Sequence, residues 1–190
     1  MPSPDTLLLF AAATLVLLLV PGPSVLFIVA RTLEHGRRGG LTSMLGVETG
    51  ALLHVLAATA GLGALVAASP HALLALKLAG AAYLLYMGVR AFRGRGEAAV
   101  TRAGSKLYRQ GLLVDALNPK TAMFFVAFLP QFIDPAGDVA LQTLLLGLTF
   151  VALATLTDTA YALLASTIRI RHVSKVAGAT YIGLAGALAV

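Results

Sequence analysis

Long apolar runs alternate with short polar or basic segments along the whole chain. Six runs stand out, at about residues 6–30, 41–67, 72–92, 110–132, 141–166 and 173–190. A bilayer core of roughly 30 Å takes about 20 apolar residues in a helix, so five runs predict full membrane spans and the sixth a minimal one. The first run ends at Arg31 and Glu34-His35-Gly36-Arg37-Arg38, the second at Ser69-Pro70, and the third at Arg90, Arg93 and Arg95. The fourth ends at Pro130 and Asp134-Pro135, and the fifth at Ile168-Arg169-Ile170-Arg171. Composition agrees with the pattern. Mean hydropathy is +0.89 and 12% of the 190 residues are charged, about half the share that covers a soluble domain. The predicted fold is an all-α polytopic membrane protein forming a single domain over residues 1–190.

Charge adds an orientation. Of the 14 Lys and Arg residues, all but Lys77 and Lys120 fall in the segments after the first, third and fifth runs. The positive-inside rule puts those segments in the cytoplasm and both termini outside. The same distribution explains the net charge of +6 without a nucleic-acid partner. The start Met-Pro-Ser-Pro-Asp lacks the basic region of a cleavable leader. The absence of cysteine excludes disulfides and thiolate metal sites.

The chain also resembles itself. Lys77-Leu78-Ala79-Gly80-Ala81-Ala82-Tyr83 recurs about a hundred residues on as Lys175-Val176-Ala177-Gly178-Ala179-Thr180-Tyr181, and three spans per copy would make the two copies inverted repeats. Repeat one covers about residues 6–92, a polar linker about 93–109, and repeat two about 110–190. Each repeat carries a break in its first span: Val20-Pro21-Gly22-Pro23-Ser24 and Asn118-Pro119-Lys120. A proline inside a helix deletes a donor and strips the carbonyl four residues back of its partner, at about 3 kcal/mol or more. In lipid such a break persists only where protein or a wet cavity satisfies it. With Gly22 and Asn118 as N-caps and Pro23 and Pro119 as first helical residues, each break starts a new helix. The free amides after each proline, at Ser24 or Lys120, would draw a carboxylate. Pro21, Gly22, Pro23, Ser24, Asn118, Pro119 and Lys120 are therefore the candidate substrate-binding residues.

Charged groups inside spans are expensive and point to function. Lys120 is expected to face the interior and to pair with Asp115 or with a substrate carboxylate. The acids Glu48, Asp115 and Asp158, with Tyr161 on the Asp158 face, are candidates for proton coupling or for binding an ammonium group; Asp115 is the one placed nearer an interface. Thr42, Gly46, Gly50 and Ala58 form a small-residue row for close helix packing, which would also suit a homodimer. His54 shares that row and is taken as a packing or hydrogen-bonding residue. The four histidines lie in different segments, and neither a nucleophilic triad nor a phosphate loop occurs, so no metal site, cofactor or enzymatic activity is expected.

Several motifs together resemble the lysine exporter (LysE/RhtB) family of bacterial amino-acid exporters. They are Pro21-Gly22-Pro23, Gly36-Arg37-Arg38-Gly39-Gly40-Leu41, the stretch from Lys77 to Gly88, Leu117-Asn118-Pro119-Lys120 and Leu129-Pro130-Gln131-Phe132. The resemblance covers nearly the whole chain in order, although family members run somewhat further at the C-terminus. It implies export of amino acids or related metabolites across the bacterial inner membrane, driven by the proton gradient. The lipid bilayer, the amino acid and protons are then the partners. An alternative is export of divalent cations on Glu48, Asp115 and Asp158 as oxygen ligands. A membrane scaffold would leave the paired breaks and buried charges unexplained.

Overall fold

The computed structural model describes residues 2–68, 71 and 106–167, and every element among them is helical. Helix α1, Pro4–Leu18, starts at the N-cap Ser3, whose Oγ accepts from the Thr6 amide at 3.1 Å. It ends where Pro21 and Pro23 can no longer supply donors. Helix α2, Pro23–Ala68, is interrupted at Gly36 (φ 70, ψ −173), a conformation open to glycine and strained for other residues. The predicted basic loop is therefore this corner, with helical residues on both sides. Gly40 lies against Thr32, whose Cβ an added methyl would approach to 2.9 Å, so only hydrogen fits there. Arg31, predicted as a loop cation, is instead helical and fully buried, paired with Glu34 and lying over the Phe27 ring at 5.2 Å.

Helix α3, Leu107–Ala116, and helix α4, Pro119–Met123, flank the second break. The chain continues as a π turn over Phe124–Phe128 and a 3-10 turn over Leu129–Phe132. Pro130 explains both: it cannot donate to the carbonyl four residues back, so the helix widens before it and tightens after it. The Gln131 side chain donates to the Ala127 carbonyl at 3.1 Å. Helix α5, Val139–Thr167, closes the described part. Asp138 caps its first turn through the Leu141 amide at 2.9 Å. The buried Gln142 pins the preceding loop at the Asp134 amide and carbonyl, at 3.0 and 2.9 Å.

Helix α5 and the stretch Pro23–Leu62 are long and apolar enough to cross a membrane, and α3 with Pro119–Phe132 adds a third crossing if that pair, bent by 43°, is one span. The Gly36 corner divides Pro23–Leu62 between the first and second predicted spans. The predicted third and sixth spans, and the Lys77 and Lys175 motifs, lie outside the described residues. Leu8, Leu9, Val16, Leu56, Leu156 and Leu164 are exposed, as lipid-facing side chains are. The core is aromatic. Phe10, Phe124, Phe125, Phe128, Phe132 and Phe150 stack between α1, the irregular run and α5, with Phe124 and Phe150 centroids 4.3 Å apart.

The small-residue row of α2 packs on α3 at backbone contact. A methyl at Gly50 would meet the Asp115 Cβ and the Leu112 carbonyl oxygen at 2.8 Å, and one at Gly46 would strike the Tyr108 carbonyl. Gly111 meets Ser43 from the other side. Overpacking such a seam costs about 1–3 kcal/mol. Gly46→Val is therefore expected to lower the thermal unfolding midpoint of the detergent-solubilised protein by several degrees. Gly61→Ala, with open space around its added methyl, is expected to leave it unchanged or raise it. Equal midpoints for the two variants would contradict the packing.

Candidate functional site

The two breaks meet. Ser24, one residue past the first, donates its hydroxyl to Asp115 Oδ1 at 2.7 Å, across 91 residues of sequence. Asn118 donates through Nδ2 to the Ser24 hydroxyl oxygen at 2.8 Å and to the same Asp115 oxygen at 3.3 Å. The Thr121 hydroxyl is a third donor to that oxygen, at 2.9 Å. Asp115 is 2% exposed and is the hub of the contact, although its place in the sequence suggested a position nearer an interface. Three donors to one oxygen offset part of the cost of burying the carboxyl group.

Each carbonyl that a proline leaves without its helical donor meets a side chain from elsewhere, and two of them also accept a tighter-turn backbone bond, Leu17 from the Val20 amide at 3.3 Å and Asp115 from the Asn118 amide at 2.9 Å. Pro21 cannot donate to Leu17, and the Lys120 ammonium does so at 3.0 Å while also reaching the Val20 carbonyl at 2.5 Å. Pro23 cannot donate to Leu19, and the Tyr161 hydroxyl of α5 does so at 3.1 Å. Pro119 cannot donate to Asp115, and His54 Nε2 of α2 meets that carbonyl at 3.0 Å. This contact sets the His54 tautomer, since the ring must donate to a carbonyl. Lys120 thus caps the C-terminal end of α1, where a cation is favoured by the helix dipole. Gly22 makes room for it, because a methyl there would meet the Lys120 Cδ at 2.8 Å.

The predicted helix starts at Pro23 and Pro119 are present. Two contacts differ from the sequence-based expectation. The Lys120 amide is capped by Asn118 Oδ1 at 2.9 Å, so that donor is spent within its own turn. Lys120 bonds to carbonyl oxygens instead of ion-pairing with Asp115. Its charge faces Asp158, which is 4% exposed on α5. Glu48, 6% exposed on α2, faces Asp158 and Asp115. The three acids, drawn from three elements, are therefore close enough to act on one another electrostatically. Sequence reasoning did not single out Thr121 or give His54 its partner. The offset from each proline to the carbonyl four residues back identifies the acceptors, but nothing in the spacing identifies their donors.

Removing the hub leaves the buried Ser24 and Thr121 hydroxyl donors unpaired, each worth about 1–3 kcal/mol, whereas removing the Asn118 cap costs about 1 kcal/mol. Asp115→Ala is therefore expected to lower the thermal midpoint more than Asn118→Ala in the same detergent. The reverse order would move the hub away from Asp115.

The sequence model of the family described as LysE type translocator matches residues 15–190. A homoserine/homoserine lactone efflux protein of Salmonella typhimurium is 35% identical over 155 residues, covering 79% of this chain and 75% of the relative. An uncharacterized membrane protein of Vibrio cholerae is 34% identical over 164 residues, covering 84% and 80%. A leucine efflux protein of Salmonella choleraesuis is 29% identical over 131 residues, covering 66% and 62%. No solved structure matches the chain.

Proposed function

The chain belongs to the LysE type translocator family, and on that premise we propose that it exports amino acids or close derivatives across the bacterial inner membrane in exchange for protons. It is a membrane transport protein and not an enzyme. The full chain is read as six spans in two inverted repeats, with the basic segments cytoplasmic and both termini outside. The meeting of breaks that lie about a hundred residues apart supports this reading, since transporter sites form from broken helices at a repeat interface.

The observation that carries the proposal is the hold of Lys120 on the Leu17 and Val20 carbonyls. Those acceptors are neutral, and a carboxylate forms stronger bonds to an ammonium than they do. A substrate carboxylate that takes Lys120 strips the end of α1 of its cap. The Leu17 carbonyl is then left with the Val20 amide, the Val20 carbonyl needs water or a new partner, and α1 shifts against α4. Binding is thereby coupled to opening of the path. Homoserine, its lactone and leucine, the compounds that name two of the relatives, all carry an ammonium, while the lactone has no free carboxylate. An ammonium subsite is therefore part of the reading, with Glu48, Asp115 or Asp158 as its acid. The divalent-cation alternative has less support, because among the described residues no three His, Asp or Glu side chains are grouped to hold a metal.

Proteoliposomes loaded with labelled amino acids under an outside-acid gradient test the reading. The wild-type protein is expected to release at least one amino acid, and Lys120→Ala to slow that release by about tenfold or more while still inserting into the membrane. Release of divalent metal alone would favour the cation alternative, and no gradient-dependent transport of any solute would favour a scaffold.

A further inference from the structure

Glu48 is buried on α2, and neither of its carboxyl oxygens has a hydrogen-bond partner. The Thr155 hydroxyl beside it donates instead to the Val151 carbonyl at 2.8 Å. Asp115 is unevenly used: Oδ1 takes three donors, and Oδ2, equally buried, takes none. The groups that face Glu48 are Asp158 from α5 and Asp115 from α3. Asp158 in turn faces Asp115 and the Lys120 ammonium of α4, which is engaged on the α1 carbonyls. His54, further along α2, is turned to the Asp115 carbonyl.

Of the three carboxyl groups, Asp158 is the one that the Lys120 ammonium faces. An isolated carboxylate in such surroundings is costly by several kcal/mol, so Glu48 holds a proton or another cation. The shape of the vacancy in bonding suggests which. An ammonium group has three donors, and the buried carboxyl oxygens without a partner among the described residues are the two of Glu48 and Oδ2 of Asp115. We propose that Glu48, in the field of Asp158 and Asp115, is the binding site for the substrate's α-ammonium, and that Glu48 carries the counter-moving proton whenever the ammonium is absent.

This assignment rests on the amino-acid export reading and specifies its coupling. On the cytoplasmic side the incoming ammonium displaces the Glu48 proton, which passes to cytoplasmic water. On the outer side the ammonium leaves, and a proton from outer water rejoins Glu48. One proton moves inward for each amino acid moved outward, and the site holds one cation at a time.

Proton release on adding L-homoserine to the purified full-length protein, followed with a pH-indicator dye in weak buffer, tests the assignment. The wild-type protein is expected to release about one proton per bound homoserine, as linkage requires. Glu48→Gln is expected to release none and to bind homoserine about tenfold or more weakly. Its binding of 2,4-dihydroxybutanoate, which has a hydroxyl in place of the ammonium, is expected to match wild type. Glu48→Asp is expected to keep proton release, and Asp158→Asn to weaken homoserine while sparing the dihydroxy acid; these two variants carry the test if Glu48→Gln fails to fold. Undiminished proton release in Glu48→Gln, or an equal loss of both ligands, would overturn the assignment. A wild-type protein that exports no amino acid would overturn the export reading itself, and this subsite with it.

Discussion

A carbonyl that loses its helical donor in a membrane must find another donor or reach water. The structure turns on that constraint. Pro21, Pro23 and Pro119 each deny a helical donor to the carbonyl four residues back; Lys120, Tyr161 and His54 donate there from other elements, beside the Val20 and Asn118 amides that reach the first and third of these carbonyls. Each replacement comes from a different element. The breaks are therefore the points at which α1, α2, α3, α4 and α5 are tied together. Proline creates the vacancy and also fixes the fold around it.

The surrounding features serve that arrangement. Gly22 lets the Lys120 chain cross the first break, and Gly46, Gly50 and Gly111 bring α2 and α3 to backbone contact, which carries Asp115 to Ser24. Asn118 acts in two directions, capping its own helix through Oδ1 and reaching the first break through Nδ2. The aromatic core around Phe124 packs the irregular run that follows Pro119 against α1 and α5. A tie made of hydrogen bonds between a charged side chain and neutral carbonyls is also one that a better ligand can undo. That property makes it suited to a transporter, whose site must hold two arrangements close in energy.

Much of this was legible in the chain. The apolar runs, the two breaks, the helix starts at Pro23 and Pro119 and the glycine row all follow from local rules that act over a few residues. The partners were not legible. Ser24 with Asp115 and Lys120 with Leu17 are separated by 91 and 103 residues, and no periodicity encodes such pairs. Asp115 was undervalued because its distance along the span suggested an interface, whereas close packing on Gly50 buries it. Arg31 was misread as a loop cation because its charge outweighed the helical pattern that continues to Gly36. His54 looked like a packing residue on a glycine row, and only the Asp115 carbonyl gives it a bonding task.

The most direct measurement is a double-mutant cycle on Pro21 and Lys120, read as thermal unfolding of the protein in nanodiscs. Pro21→Ala returns a backbone donor to the Leu17 carbonyl, so the carbonyl depends less on the lysine. Lys120→Met alone is expected to cost about 2 kcal/mol, in the range for hydrogen bonds to charged groups. In the Pro21→Ala background that cost is expected to fall by about half or more, a coupling well above additivity. An equal cost in both backgrounds would mean that Lys120 does not stand in for the donor that Pro21 removes.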